Sequence, residues 1–106
     1  MSNSAKDLPL WVVVSTPVVD RESYMPHLQE HLAYQHTLED RGILFAAGPL
    51  ATEGGERSGR GLIILRAATP ADARRIAEGD PMHSRGLRTF TIEHWTPNEG
   101  EIVKNA

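Results

Sequence analysis

Two apolar runs constrain this chain more than anything else in it. Trp11-Val12-Val13-Val14 and Leu62-Ile63-Ile64-Leu65 are short, mostly β-branched or aliphatic, and have no helical period. Each reads as a strand, over Leu10 to Ser15 and Gly61 to Ala67. A strand covered on one face only should alternate apolar with polar residues. These two do not alternate, so both of their faces need cover.

Between them the chain reads as a helix, a stop and another strand. The helix is expected from Arg21 or Tyr24 to Arg41. Pro26 is tolerated only in a first turn, which favours the later start. On a wheel of about 100° per residue, Tyr24, Leu28, His31, Leu32, Gln35 and Leu38 share one side. Glu30, Ala33, Thr37 and Arg41 take the other. His31 is thus expected to point into the protein. Gly42 ends the helix, because glycine enters the left-handed region at little cost. Ile43 to Ala51 follows as a strand broken by Gly48-Pro49, and Thr52 to Gly59 as a turn. Thr69-Pro70-Ala71-Asp72 is a helix start, with a capping threonine, proline at the first position and an acid in the first turn. That helix covers Ala71 to Glu78. Gly79-Asp80-Pro81 ends it, and Met82 to Arg85 adds one turn. Leu87 to Trp95 is the last strand.

The order β-α-β-β-α-β predicts an α+β, ferredoxin-like domain: a four-stranded antiparallel sheet with both helices on one face and the two apolar strands at its centre. Two helices cover only one face. The other is expected to meet a second copy of itself, giving a homodimer through the sheet face. Residues 1–9 read as a loose lead-in, 10–97 as the domain and 98–106 as a polar tail.

Composition excludes several classes. At 106 residues the chain is one domain, able to bury roughly 65% of its unfolded surface. It has no cysteine, so disulfides, thiolate metal sites and a cysteine nucleophile are out, and a reducing cytoplasm is the expected location. No run approaches the roughly 18 apolar residues of a membrane span, and MSNSAK is too short and polar for a secretory signal. Formal charge is −3, so nothing draws the whole chain to nucleic acid. The arginines concentrated between Arg57 and Arg88 read as a solvated face with intervening acids. The expected partners are a second copy and a small molecule, with neither nucleic acid nor membrane.

Three constellations bear chemistry. The first is His31 with Asp80: a carboxylate beside an imidazole selects one tautomer and raises the ring's basicity, as a general base requires. The alternative is that Asp80 only caps the turn from Pro81 to Arg85 and His31 is a satisfied core histidine. Spacing alone leaves this open. The second is a histidine set. His27 and His31 are four apart, with His83 and His94 as further ligand candidates and His36 expected in solvent. There is no HExxH pattern, and helical histidine pairs commonly occur without metal, so no metal and no cofactor are expected. The third is the last strand, where Phe90, Ile92 and His94 share one face. Trp11 and Trp95 read as core or interface anchors. Gly54-Gly55 lacks the helix and lysine of a phosphate loop and reads as a turn. No serine sits in a nucleophile-elbow pattern.

The stretches HLAYQHTLEDRGILFAAGPL, GRGLIILRAATPADARRIAEGDPMHSRGL and TFTIEHW together resemble the YciI-like (YCII-related) family. His31-Leu32, Ala47-Gly48-Pro49, Asp80-Pro81 and Trp95 match its pattern in order and spacing, over roughly residues 10–97. Pro26-His27 departs from it, standing where a charged residue would be expected. The resemblance implies a ferredoxin-like fold that dimerises into an α/β barrel, as in muconolactone-isomerase-like proteins. It also implies an active site around a histidine-aspartate pair, here His31 and Asp80, and activity on small cyclic or aromatic molecules by proton transfer or dehydrochlorination without an organic cofactor. On this reading His31 is the general base or acid and Asp80 orients it. Gly48 lets backbone approach the ligand and Pro49 stiffens that loop. His83 and Arg85 bind an anionic group at the rim. The rival readings are a small-ligand-binding or regulatory dimeric module without turnover, and a dimerisation domain whose His31 is merely buried.

Overall fold

The two apolar runs form the middle of one antiparallel sheet. The structure, a computed structural model, describes residues 7–104. The strands are β1 (Leu10–Pro17), β2 (Leu44–Ala51), β3 (Arg57–Arg66) and β4 (Arg88–Trp95), in the spatial order β2-β3-β1-β4. The helices are α1 (Arg21–Tyr24), α2 (Leu28–Asp40), α3 (Pro70–Glu78), α4 (Pro81–Ser84) and α5 (Glu101–Lys104). The expected β-α-β-β-α-β order and the central place of β1 and β3 are both present. Among the described residues no helix is long and apolar enough to cross a membrane.

Register explains how continuous apolar strands are used. Val13 pairs with Ile63 and Ile92, and Trp11 pairs with Leu65 and His94. These residues share the face that α2 and α3 cover, where Val13, Leu38, Ile63, Leu65 and Ala77 form the main core. Trp11, Ala67 and Ala73 form a second cluster, and the Trp11 indole donates to the Ala67 carbonyl at 2.9 Å. Val12, Val14, Leu62, Ile64 and Trp95 take the opposite face. Along β1 burial alternates accordingly: Trp11, Val13 and Ser15 are buried, while Leu10, Val12 and Val14 are half-buried.

The first helical segment differs from the single helix expected. Asp20 caps α1 by accepting from the Ser23 amide at 2.9 Å. Pro26 cannot donate to an α-helical ladder, and Met25–His27 is a 3₁₀ turn before α2 begins. The wheel also needs adjustment. Leu32 is 39% exposed, and Tyr34 packs against the core in its place. The C-terminal stop is as the glycine predicted. Gly42 has φ +74°, its amide donates to the Glu39 carbonyl at 3.0 Å, and the Ile43 amide donates to the Leu38 carbonyl at 2.9 Å. This is a Schellman closure, with Ile43 and Leu38 in one cluster. Strand β3 begins earlier than expected, so the β2–β3 hairpin is longer. The lead-in expected over residues 1–9 lies mostly outside the described residues.

Leu65 is 1% exposed at the junction of three strands and two helices. Leu65→Ala should cost about 2–5 kcal/mol, from lost transfer energy plus an incompletely collapsed cavity. Equilibrium denaturation with urea measures this, and the half-buried Val12→Ala on the opposite face should lose clearly less in a single protomer.

Candidate active site

The geometry of the site follows from where short polar signals interrupt the two main helices. His31 lies in the first turn of α2. Asp80 stands where α3 gives way to α4. Thr69 starts α3 by accepting from the Asp72 amide at 3.0 Å, with Pro70 at the first position. Gly79 ends it. A Cβ at Gly79 would collide with the Tyr34 hydroxyl, so glycine is required there for packing rather than for an unusual φ. The Tyr34 hydroxyl uses that space to donate to the Ile76 carbonyl at 2.6 Å.

Asp80 is 2% exposed and bonds in two directions. Oδ1 accepts from the Met82 amide at 2.9 Å and so caps α4, and Oδ2 lies 2.7 Å from His31 Nδ1. Gln35, one turn beyond His31, approaches Oδ2 at 3.5 Å. The capping role and the histidine partnership, set against each other by spacing, are both present on the two oxygens of one carboxylate. Burial pushes the Asp80 carboxyl up. The bond and charge of His31, the Met82 amide and the charge of His83 outweigh it and hold the carboxyl below its ordinary 3.8. An ionised Asp80 requires the His31 proton on Nδ1. Nε2 is then the free position, and it has no hydrogen-bond partner among the described residues. The His31 side chain is 25% exposed. A cavity of about 10 Å³, room for about one water, lies behind the pair among Val13, Tyr34, Gln35, Leu38, Asp80 and His83.

A second hydrogen-bond chain runs beside the first. Arg88 Nε donates to Ser15 Oγ at 2.8 Å, and Ser15 Oγ lies 2.7 Å from His83 Nε2. His83 Nδ1 lies 2.7 Å from the Ala77 carbonyl. A carbonyl only accepts, so Nδ1 carries the proton. Nε2 then accepts from the serine hydroxyl, whose own oxygen accepts from Arg88. Every donor has an acceptor with His83 neutral. Burial chiefly holds the His83 pKa below its ordinary 6.5.

The other expected site residues are placed differently. Arg85 is bidentate with Glu30, Nε to Oε1 at 3.0 Å and Nη2 to Oε2 at 2.8 Å. Gly48 and Pro49 lie on the exposed edge strand β2, paired with Leu62 and Gly61 of β3. His27 pairs with Glu30 at 3.2 Å and His36 with Glu39 at 3.4 Å, while the His94 ring stacks on Trp11 at 4.8 Å. No three acidic or histidine side chains among the described residues are placed to hold a metal ion. Ser15, Tyr34 and Arg88 were not among the candidates. Ser15 did carry a signal, being the one polar residue at the period-2 position that continues Trp11 and Val13 into the core.

These observations define an α+β protein of ferredoxin-like fold with a buried carboxylate and a half-buried histidine bonded between its helices. The chain belongs to the family of the YCII-related domain, whose model matches residues 10–96. Among solved structures it is similar to the 5-chloro-2-hydroxyhydroquinone dehydrochlorinase (TftG) of Burkholderia phenoliruptrix AC1100, in complex with 2,5-dihydroxybenzoquinone. The TM-score is 0.69 at 19% identity, covering 84% of this chain and 95% of that one, a likeness of fold. No curated protein matches the chain.

His83 gives the fold a pH dependence of defined sign. Its folded-state pKa is depressed, so the unfolded chain takes up the proton first as pH falls. The stability contributed by neutral His83 is present above its ordinary 6.5 and is lost as pH drops below that toward the folded-state value. Asp80 acts in a separate window. Its contribution is present above 3.8 and is lost as pH falls through its lowered folded-state value. Denaturation midpoints measured between about pH 8 and pH 5 should fall in the wild type, and fall less in His83→Gln.

Proposed function

We propose that the protein is a cofactor-independent enzyme that moves a proton on a small cyclic or aromatic organic molecule, with His31 as general base and acid. The observation that carries this reading is the 2.7 Å bond from His31 Nδ1 to Asp80 Oδ2, with Nε2 free on a partly exposed ring. Asp80 selects the reactive tautomer and stabilises the imidazolium once it forms. The cavity beside Asp80 has room for about one water only, so the substrate is placed on the partly exposed side of His31.

Nε2 takes a proton from an acidic C–H or O–H of the substrate. The electron pair left behind either gains a proton at another atom, an isomerisation, or expels a leaving group such as chloride with its bonding pair, an elimination. The imidazolium returns its proton to the substrate or to water. Family membership supports the reading, and the solved structure of similar fold is a dehydrochlorinase bound to a quinone. Arg85, tied to Glu30 one residue before His31, belongs to the rim of this site, and His83 supports it from behind through α4. Gly48 and Pro49 are proposed to close the ligand from the β2 edge. A binding module without turnover would use the same pocket with a chemically idle His31.

His31→Ala should abolish turnover. Asp80→Asn still caps α4, but presents an amide to Nδ1 and turns the ring to the wrong tautomer, so kcat should fall about 10²–10⁴-fold with little loss of fold. Steady-state kinetics on a panel of chlorinated hydroquinones and enol lactones, with circular dichroism as the fold control, measures both. Binding without turnover across that panel moves the reading to the binding module.

The same proposal includes a homodimer through the sheet face, supported by Val12, Val14, Leu62, Ile64 and Trp95 on the side away from α2 and α3. Sedimentation at micromolar concentration should give about twice the protomer mass of 11.7 kDa. A stable monomer rejects it.

A further inference from the structure

Arg88 is unlike the other arginines of this chain. Among the described residues only Arg66 and Arg88 are half-buried arginines, and neither forms an ion pair with a carboxylate. Arg66 stands at the end of β3 over the Phe45 ring, on the sheet face away from α2 and α3. Arg88 is joined to the candidate site. Its Nε reaches Ser15 Oγ, its Nη2 reaches the carbonyls of Ser15 and Gly59, and its guanidinium lies 5.2 Å from the centre of the Tyr24 ring. All of these acceptors are neutral. Nη1 has no partner among the described residues. A guanidinium partly withdrawn from water is stabilised by an anion on its remaining N–H groups, here those of Nη1, and no salt bridge among the described residues supplies one.

The cations offered by the motif near Asp80 do not fill this role. Arg85 is neutralised by Glu30, and His83 is neutral with both nitrogens engaged. Arg88 is the half-buried cation joined to this site that no carboxylate pairs among the described residues. It connects through Ser15 to His83, the residue on the last turn of α4, while Asp80 caps the first turn and holds His31. Asp80 and His83 lie on one short helix, so the guanidinium is linked to the proton-transfer pair through Ser15, His83 and α4.

Resting on the proposed proton transfer, we infer that Arg88 is the anion-binding residue of this site and that the substrate is a small organic anion. Its carboxylate, phenolate or enolate oxygen docks on the guanidinium, the Tyr24 ring borders it, and its exchangeable hydrogen faces His31 Nε2. Docking also favours catalysis. A cation on a substrate oxygen withdraws electron density and stabilises the charge that develops when a neighbouring proton leaves.

The test titrates ¹⁵N-labelled wild-type protein with 2,5-dihydroxybenzoquinone, whose hydroxyls are vinylogous acids ionised at neutral pH, and with its neutral dimethyl ether. The Arg88 side-chain N–H signals, assigned by their loss in Arg88→Lys, should shift and saturate with the anion. The anion should bind about tenfold or more tightly than the ether. Arg88→Gln should remove that preference, with Arg88→Lys intermediate. Arg88 also ties β1 to β3, so if Arg88→Gln does not fold, the wild-type titration decides alone. Arg88 signals that stay still at saturation, or no saturation at millimolar anion, overturn the inference. Anion binding that depends on Arg88 in a protein without turnover upholds it and rejects the proton-transfer reading. Turnover that needs His31 but is indifferent to Arg88 and to substrate charge does the reverse.

Discussion

Asp80 serves three elements at once. One carboxylate oxygen caps α4, the other receives His31 from α2, and its backbone amide donates to the Ala77 carbonyl of α3. A buried charge of this kind is tolerated only when its hydrogen-bonding capacity is filled, and here a backbone amide and an imidazole fill it. Removing either partner would leave an uncompensated anion in the interior, which is far more destabilising than replacing the whole arrangement with apolar groups. The packing of the helices against one another and the formation of the site are therefore one interaction. The close approach of Tyr34 to Gly79 seats the same junction from the other side.

Two histidines lie on either side of this carboxylate, and their hydrogen bonds give them different tasks. His31 uses one nitrogen, and the other has no partner among the described residues. His83 uses both, one toward the end of α3 and one toward β1, and burial keeps it neutral. The direction of its bonds is dictated by the ends of the chain. A guanidinium can only donate and a carbonyl can only accept, so with the imidazole neutral its proton sits on Nδ1 and the serine hydroxyl donates to Nε2. His83 acts as a rigid neutral strut that pins α4 to the centre of the sheet, and so holds Asp80 where His31 can reach it.

Much of the fold was legible because its signals are local. β-branched runs, a threonine-proline helix start and a glycine stop act within a few residues of themselves, and each appears where the chain spells it. The helix departs from its sequence pattern at Pro26 and at Leu32. At Pro26 the missing amide hydrogen favoured a 3₁₀ turn over a continuous helix. At Leu32 a 3.6-residue wheel cannot say how far round the helix the sheet extends, and the inward arc shifted toward Tyr34. Polarity was a weaker guide than position. Ser15 continues the buried face of β1 and was passed over, although a hydroxyl in a core-facing strand position requires a partner.

The sequence by itself determined the element order and the placing of the two apolar strands at the sheet centre, while it pointed to His31 and Asp80 together only through the family resemblance. These depend on periodicity, caps and motif spacing, which are properties of the chain read along its length. Only the tertiary structure decided what the remaining polar residues are for. Arg85 and Arg88 are three residues apart and indistinguishable in the sequence. One is cancelled by Glu30, 55 residues away, and the other meets only neutral oxygens. Whether a charge is spent or available depends on which distant group the fold brings to it, and no local pattern carries that information.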